Sequence, residues 1–320
     1  MSYAARSAAA LAWLGRQGTR AVAASIFLGL AAPPLAALFK PYIPEAIFAL
    51  LLLAFLRVDA RELRGYAMRP GLVLAATAWM MLVTPALLGG IFLALGLRER
   101  APGLFLALVL QASSTPLTAA PAFVALLGLD AALTLATLAL CMVATPLTAP
   151  VFAQLFAGDV LTISATALAL KLFALLAGAA LVAAVVRRLA GAAWVEAQRE
   201  KIDGLNVIVL FVFAVAIMDG IAARFLADPL LVIGLVGLAF MLTFVLLGST
   251  ALAFAAAGRD RAFALGLTAA NRNLGLMLAA TGATLPDATW LYFGLAQFPI
   301  YLAPQILLPL ARRVARSRPS

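Results

Sequence analysis

Long apolar runs separated by short charged segments dominate this chain, and they leave few folds open. Of its 320 residues, 65% are hydrophobic and 11% are charged, whereas a soluble domain carries about 25% charged residues. Several runs approach the roughly 20 residues that a helix needs to cross a bilayer. Because backbone polar groups must be paired inside a bilayer, such runs form helices. The sequence therefore predicts an all-α polytopic membrane protein.

Hydropathy and the charged boundaries predict ten transmembrane helices, called spans one to ten below. They cover approximately Ala21–Phe39, Ile43–Leu56, Gly71–Leu97, Gly103–Leu127, Ala131–Phe156, Ile163–Val186, Leu205–Met218, Leu230–Ala257, Ala262–Ala283 and Thr289–Leu310. Spans two and seven are short for a hydrocarbon layer roughly 30 Å thick. Near the start of span ten, Trp290 and Tyr292 are predicted to anchor the helix at the membrane interface.

The basic residues orient these spans. With the N-terminus inside, 17 Lys and Arg fall on the cytoplasmic side and four on the opposite side. The positive-inside rule explains this bias and predicts that both termini are cytoplasmic. The net charge of +10 does not indicate nucleic acid as a partner, because the basic residues flank apolar runs and form no continuous stripe.

Arg272 is the most unusual residue of the apolar segments. It lies eleven residues after Arg261 and fifteen before Asp287, about 16 and 22 Å along a helix. These distances place it near the middle of the bilayer, where a guanidinium costs about 3 kcal/mol on insertion scales. Such a residue usually marks a functional site, although a structural arginine bound to the carbonyls of a partner helix is the alternative.

Two spans are predicted to be interrupted. Span four contains the polar, proline-bearing stretch Gln111–Pro121, and span nine contains Asn271–Gly275. Each is the fourth span of a five-span half, and two tandem five-span units must point in opposite directions. Paired interrupted helices at matching positions indicate a transporter's binding site. The sequence therefore predicts two inverted five-helix repeats, with spans four and nine crossing at mid-membrane.

Polar residues at the two interruptions are the candidate substrate-binding residues. They are Arg272, Asn271, Asn273 and Gly275 in span nine and Ser113, Ser114 and Thr115 in span four. For the hydroxyl residues a second interpretation is equally open, since serine and threonine before a proline also bond to their own helix. The asparagines have an alternative role in bridging helices.

Several chemistries are disfavoured by residues that are missing or misplaced. The chain has no histidine and one cysteine, Cys141, so we expect neither a metal site nor a disulfide. All thirteen acidic residues fall in loops or at span ends. The paired aspartates of prenyl transfer and the histidines of membrane acyl transfer or metalloproteolysis are therefore not found, and no enzyme is predicted. Neutral oxygens of Thr134, Thr137 and Thr268 remain candidate ion ligands, although the charge of Arg272 opposes a cation there.

The ten-span plan, the interrupted spans four and nine, and the run Ala-Asn-Arg-Asn-Leu-Gly-Leu over 270–276 resemble the bile acid:sodium symporter family and its bacterial members. The stretch 121–130 (Pro-Ala-Phe-Val-Ala-Leu-Leu-Gly-Leu-Asp) is similar to the end of that family's fourth helix. The resemblance implies a core of about 71–156 and 229–313, against which a panel of about 21–57 and 163–220 moves. It also implies an organic-anion site, the lipid bilayer of a bacterial-type inner (plasma) membrane, and no cofactor.

The departures from that family concern sodium. Sodium-coupled members have a glutamate at the position of Thr268 and a glutamine at the position of Arg272, and their Ser-Asn pair falls on Ala119 and Ala120. Thr137 matches a sodium-ligating threonine, and Asn273 matches the substrate-proximal asparagine. The resemblance thus implies sodium sites that are largely replaced.

The resulting hypothesis is a secondary transporter of a small organic anion, a carboxylate or bile-acid-like molecule. It would work by alternating access, with Arg272 supplying the positive charge of a bound sodium ion. The alternatives are an ordinary sodium-coupled organic anion symporter and an anion uniporter or channel.

Overall fold

The structure, a computed structural model, describes residues 24–57, 70–282 and 285–316. Within these ranges the elements are all helices, and the strand-like pairing is one isolated antiparallel bridge between Pro116 and Arg272. The predicted start of span one at Ala21, the end of span nine at Ala283 and the extreme termini lie outside the described residues.

The helices follow one another with short connections. In chain order, after a helical segment over 24–31, they are α1 Pro33–Phe39, α2 Ile43–Arg57, α3 Pro70–Ala78, α4 Thr84–Ala94, α5 Leu97–Arg100, α6 Pro102–Ser113, α7 Ala120–Leu126, α8 Ala131–Ala157, α9 Ala165–Ala190, α10 Ala192–Ala197, α11 Arg199–Ala216, α12 Ile221–Ala227, α13 Pro229–Ala253, α14 Arg259–Ala270, α15 Leu274–Thr281, α16 Asp287–Leu295 and α17 Gln297–Arg316. A π-helical turn, Trp79–Val83, joins α3 to α4.

Seven helices in the described ranges are long and apolar enough to cross a membrane. They are Pro33–Arg57, Pro70–Ala94, Ala131–Ala157, Ala165–Ala190, Arg199–Ala227, Pro229–Ala253 and Asp287–Pro309. Many large apolar side chains on these helices face outward, such as Leu147, Leu181 and Leu230. Such an apolar surface is favourable in contact with lipid chains and unfavourable in contact with water. The protein is therefore an α-helical polytopic membrane protein.

The first helical connection differs from the predicted one. Spans one and two were predicted to separate between Phe39 and Ile43, but α1 continues through a 3-10 turn into α2 as a 25-residue helix. The break lies instead at Ala32, which has φ −126° and ψ 68°. The reason is Pro33, because a proline disfavours helical backbone at the residue before it.

The chain divides into two compact units, Met1–Val58 with Ala174–Ile233 and Asp59–Phe173 with Gly234–Ser320. In the first unit, α11 packs against α1 and α2. Ion pairs link Lys40 to Asp219 at 2.8 Å and Arg57 to Asp203 at 2.9 Å. These pairs are partly exposed and contribute little to stability, so apolar packing between the helices holds this unit.

The second unit is built around α6 and α8. Helix α6 packs against α4, α8 and α16, and α8 packs also against α3 and α14. At Gly266 of α14, an added Cβ would lie 2.7 Å from the carbonyl oxygen of Leu247. Glycine thus permits a close approach of α14 to α13. The same unit contains both interrupted segments.

Candidate functional site

Two helix breaks of the second unit lie where interruptions were predicted. The first separates α6, which ends at Ser113, from α7, and the second separates α14 from α15 over residues 271–273. At both breaks the backbone becomes extended, with ψ 155° at Ser114 and ψ 100° at Asn271. The carbonyls and N–H groups at the breaks therefore need partners outside their own helices.

The breaks supply those partners to each other. The N–H of Leu117 donates to the carbonyl of Asn271 at 2.8 Å, and the N–H of Asn273 donates to the carbonyl of Thr115 at 2.9 Å. Pro116 faces Arg272 between these two bonds. It occupies the position of the bridge that donates no hydrogen bond, so its missing N–H costs nothing. The result is a short antiparallel contact between two broken helices.

Arg272 lies at this contact and is completely buried, with 0% of its surface exposed. Its Nη1 donates to the carbonyl of Ser114 at 2.8 Å and to the carbonyl of Met80 at 3.2 Å. Its Nε and Nη2 have no partner among the described residues. These two nitrogens form one edge of the planar guanidinium, which is the edge that binds the two oxygens of a carboxylate.

The asparagines beside Arg272 terminate helices. Asn271 Nδ2 donates to the carbonyl of Leu267 at 2.8 Å, at the end of α14. Its Oδ1 is an acceptor with no partner in the described chain. Asn273 Oδ1 accepts from the N–H of Leu276 at 3.0 Å and caps α15. Gly275 is buried in the first turn of α15. All three predicted residues thus lie at the break, and Asn273 has a structural role there.

The hydroxyls of the first break are mostly satisfied within their own helix. Ser113 Oγ donates to the carbonyl of Val109 at 2.6 Å, and Ser114 Oγ donates to that of Gln111 at 2.9 Å. This is the back-bonding that the second interpretation of the serines predicted. The buried Thr115 Oγ1 has no partner among the described residues, so it is the hydroxyl of this group with free hydrogen-bonding capacity.

Two of the candidate ion ligands are in contact. Thr268 Oγ1 lies 3.1 Å from Thr134 Oγ1 and donates to the carbonyl of Ala264 at 2.7 Å. The nearby Thr137 Oγ1 in α8 is buried and lacks a hydrogen-bond partner in the described structure. Across the described residues, histidine, cysteine and acidic side chains form no cluster of three or more that could hold a metal ion.

Three residues were not predicted as hydrogen-bonding partners, namely Tyr292 of α16, Gln111 of α6 and Met80 of the π-helical turn. The Tyr292 hydroxyl donates to Gln111 Oε1 at 2.6 Å, and the tyrosine is fully buried. Its prediction as an interface anchor was therefore wrong, because a hydrogen bond between α16 and α6 holds it inside the protein. The Met80 carbonyl was also missed. The sequence feature that could have indicated it is Pro85, since a proline lacks the N–H that would bond a carbonyl of the preceding turn.

No protein-family model and no characterised protein matches this chain. The resemblance to the bile acid:sodium symporter family therefore stays a prediction that depends on the residues quoted above.

Proposed function

We propose that the protein is a secondary transporter of a small organic anion and that Arg272 binds the anion. The single observation that carries this proposal is the fully buried guanidinium with an unpartnered Nε–Nη2 edge at the contact of two broken helices. A buried charge is costly unless it is paired and fully hydrogen-bonded. An anion is the partner that would remove this cost.

A carboxylate fits the donor arrangement best. Its two oxygens match the parallel N–H groups of Nε and Nη2, and such bidentate bonds are stronger than neutral hydrogen bonds. The free Oδ1 of Asn271 and the free Oγ1 of Thr115 are available to other polar groups of the substrate. Sulfonates and bile-acid-like anions are the competing substrates, since they also present several acceptor oxygens.

In this proposal Arg272 supplies a fixed positive charge in place of bound sodium. The hydroxyls of Thr134, Thr137 and Thr268 offer neutral oxygens, but a permanent cation in the same unit opposes a second positive charge. Transport is then independent of sodium or coupled to another ion. The sodium-coupled alternative makes Arg272 a structural residue, a role that its two bonds from Nη1 to carbonyls also fit.

The transport cycle in this proposal is alternating access. Ten spans form two inverted repeats, with the two breaks at mid-membrane and both termini in the cytoplasm. A core of about 71–156 and 229–313 moves against a panel of about 21–57 and 163–220. The protein would lie in a bacterial-type inner membrane. A uniporter shares the same site, and counter-flow distinguishes either carrier from a channel.

The test is a thermal-shift screen of the purified protein with small carboxylates, sulfonates and bile-acid-like anions, each with and without sodium. We expect an anion to stabilise the wild type without sodium and to have no effect on Arg272→Gln. Arg224→Gln, which removes an exposed arginine of α12, is the matched control and should respond like the wild type.

Uptake into proteoliposomes then separates the alternatives. Saturable uptake with counter-flow, unchanged by external sodium at fixed membrane potential, agrees with the proposal. If uptake rises steeply with external sodium and survives in Arg272→Gln, the protein is a sodium symporter and Arg272 is structural. If flux neither saturates nor shows counter-flow, the protein is a channel.

A further inference from the structure

The helix that contacts Arg272 changes its hydrogen-bond register at Met80. The π-helical turn covers Trp79–Val83, and the N–H of Thr84 bonds to the carbonyl of Trp79, five residues earlier. In an α-helix this N–H would bond to the carbonyl of Met80. The π register therefore takes the α-helical donor away from Met80.

Pro85 removes the remaining donor. In the π register the next bond would join the N–H of residue 85 to the carbonyl of Met80. Residue 85 is a proline and has no N–H. Because a buried carbonyl without a partner is costly, Met80 needs a donor from elsewhere. Arg272 Nη1 supplies it at 3.2 Å.

We propose that Pro85 is a positioning residue for Arg272. By keeping the Met80 carbonyl free, Pro85 lets Met80 and Ser114 hold Nη1 from two helices, and this orientation turns the Nε–Nη2 edge away from them. The positioning of the guanidinium follows from contacts alone, while its benefit for anion binding rests on the proposed function. The start of the π turn is itself held, since Trp79 Nε1 donates to Thr250 Oγ1 at 2.9 Å and its ring packs edge-on against Phe254.

The sequence provides a selective probe of the Met80 carbonyl. Met80–Met81 is the single Met-Met pair among the eight methionines. In protein labelled with carbonyl-¹³C and ¹⁵N methionine, it is therefore the one place where a labelled carbonyl is bonded to a labelled nitrogen. A solid-state NMR spectrum that selects directly bonded nitrogen–carbonyl pairs, recorded in lipid bilayers, reports this carbonyl alone.

The measurement compares Arg272→Gln in three backgrounds. In the wild type, Arg272→Gln should shift the Met80 carbonyl resonance, because the guanidinium bond is lost. In Pro85→Ala, a backbone donor reaches Met80 in either register, from Thr84 in an α-helix or from the restored N–H of position 85 in a π-helix. Arg272→Gln should then leave the resonance unchanged. Pro150→Ala, a buried proline inside α8, is the matched control and should behave like the wild type.

An equal shift of the Met80 carbonyl resonance in the wild type and in Pro85→Ala would overturn the proposal. This outcome does not depend on an anion, so the positioning of Arg272 and the transport of anions can fail separately.

Discussion

The two helix breaks of the second unit stop their helices by different means. The break after α6 contains Pro116, and the serines before it bond to carbonyls of their own helix. The break after α14 contains no proline. Two asparagines terminate the flanking helices there, and Arg272 between them has two nitrogens without partners in the described chain.

This difference separates a scaffold from a candidate binding element. The first break contributes mainly backbone carbonyls, at Ser114 and Thr115, which hold the second break in place. The second break contributes charge and unsatisfied hydrogen-bonding groups. Substitutions at the first break should therefore change the free energy of unfolding, and substitutions of Arg272 should change the thermal shift that an anion produces.

We expect the greatest loss of stability when the backbone contact between the breaks is removed. Leu117→Pro removes the N–H that bonds to the carbonyl of Asn271 and adds a ring at the contact, so we expect the free energy of unfolding to fall by about 3 kcal/mol. Pro116→Ala at the neighbouring non-bonded position should change it by less than about 0.5 kcal/mol. Thermal unfolding in one detergent compares the two. Equal losses would show that the bridge is not the stabilising contact.

A smaller effect tests the cap of the second break. Asn273→Ala leaves the N–H of Leu276 without its acceptor, and we expect a loss of about 1 kcal/mol in unfolding free energy. Asn273→Ser keeps a capping oxygen and should lose only a few tenths of a kcal/mol. If both variants keep wild-type stability but lose the response to anions, Asn273 binds substrate and its capping bond is secondary.

The smallest effect is expected for the serine of the first break. Ser114→Ala removes a bond within its own helix but keeps the backbone carbonyl that accepts from Arg272. The free energy of unfolding should therefore fall by about 0.5 kcal/mol. The thermal shift produced by an anion should match that of the wild type. A reduced shift would assign the Ser114 hydroxyl to the binding site, as the sequence hypothesis allowed.

The positions of the breaks were predictable because their causes are local. Pro116 lacks an N–H, and polar residues next to Gly275 interrupt an apolar run, so both features are visible within a few residues. The bond from the Ser114 hydroxyl to the carbonyl of Gln111, three residues earlier, is also local. By contrast, Tyr292 and Gln111 are 181 positions apart in the chain, and the tyrosine was assigned to the membrane interface only because it is an aromatic residue near the start of span ten.

The first helical connection was predicted at the wrong position in the chain. Residues 40–42 were predicted to lie between spans one and two, but they form a 3-10 turn within a continuous helix. Lys40 is paired with Asp219 across 179 positions. The adjacent prolines at 33 and 34 were the better boundary signal there, because a proline disfavours helical backbone at the residue before it.

A helical, membrane-embedded chain with two broken segments, and with a permanent charge in one of them, could be predicted from the residues alone. These properties follow from hydropathy and from backbone chemistry within single segments. Which edge of Arg272 is occupied could not be predicted in this way, because the carbonyls of Met80 and Ser114 come from positions 192 and 158 residues away. Their availability depends on a π register and a helix end, and their proximity depends on how the helices pack.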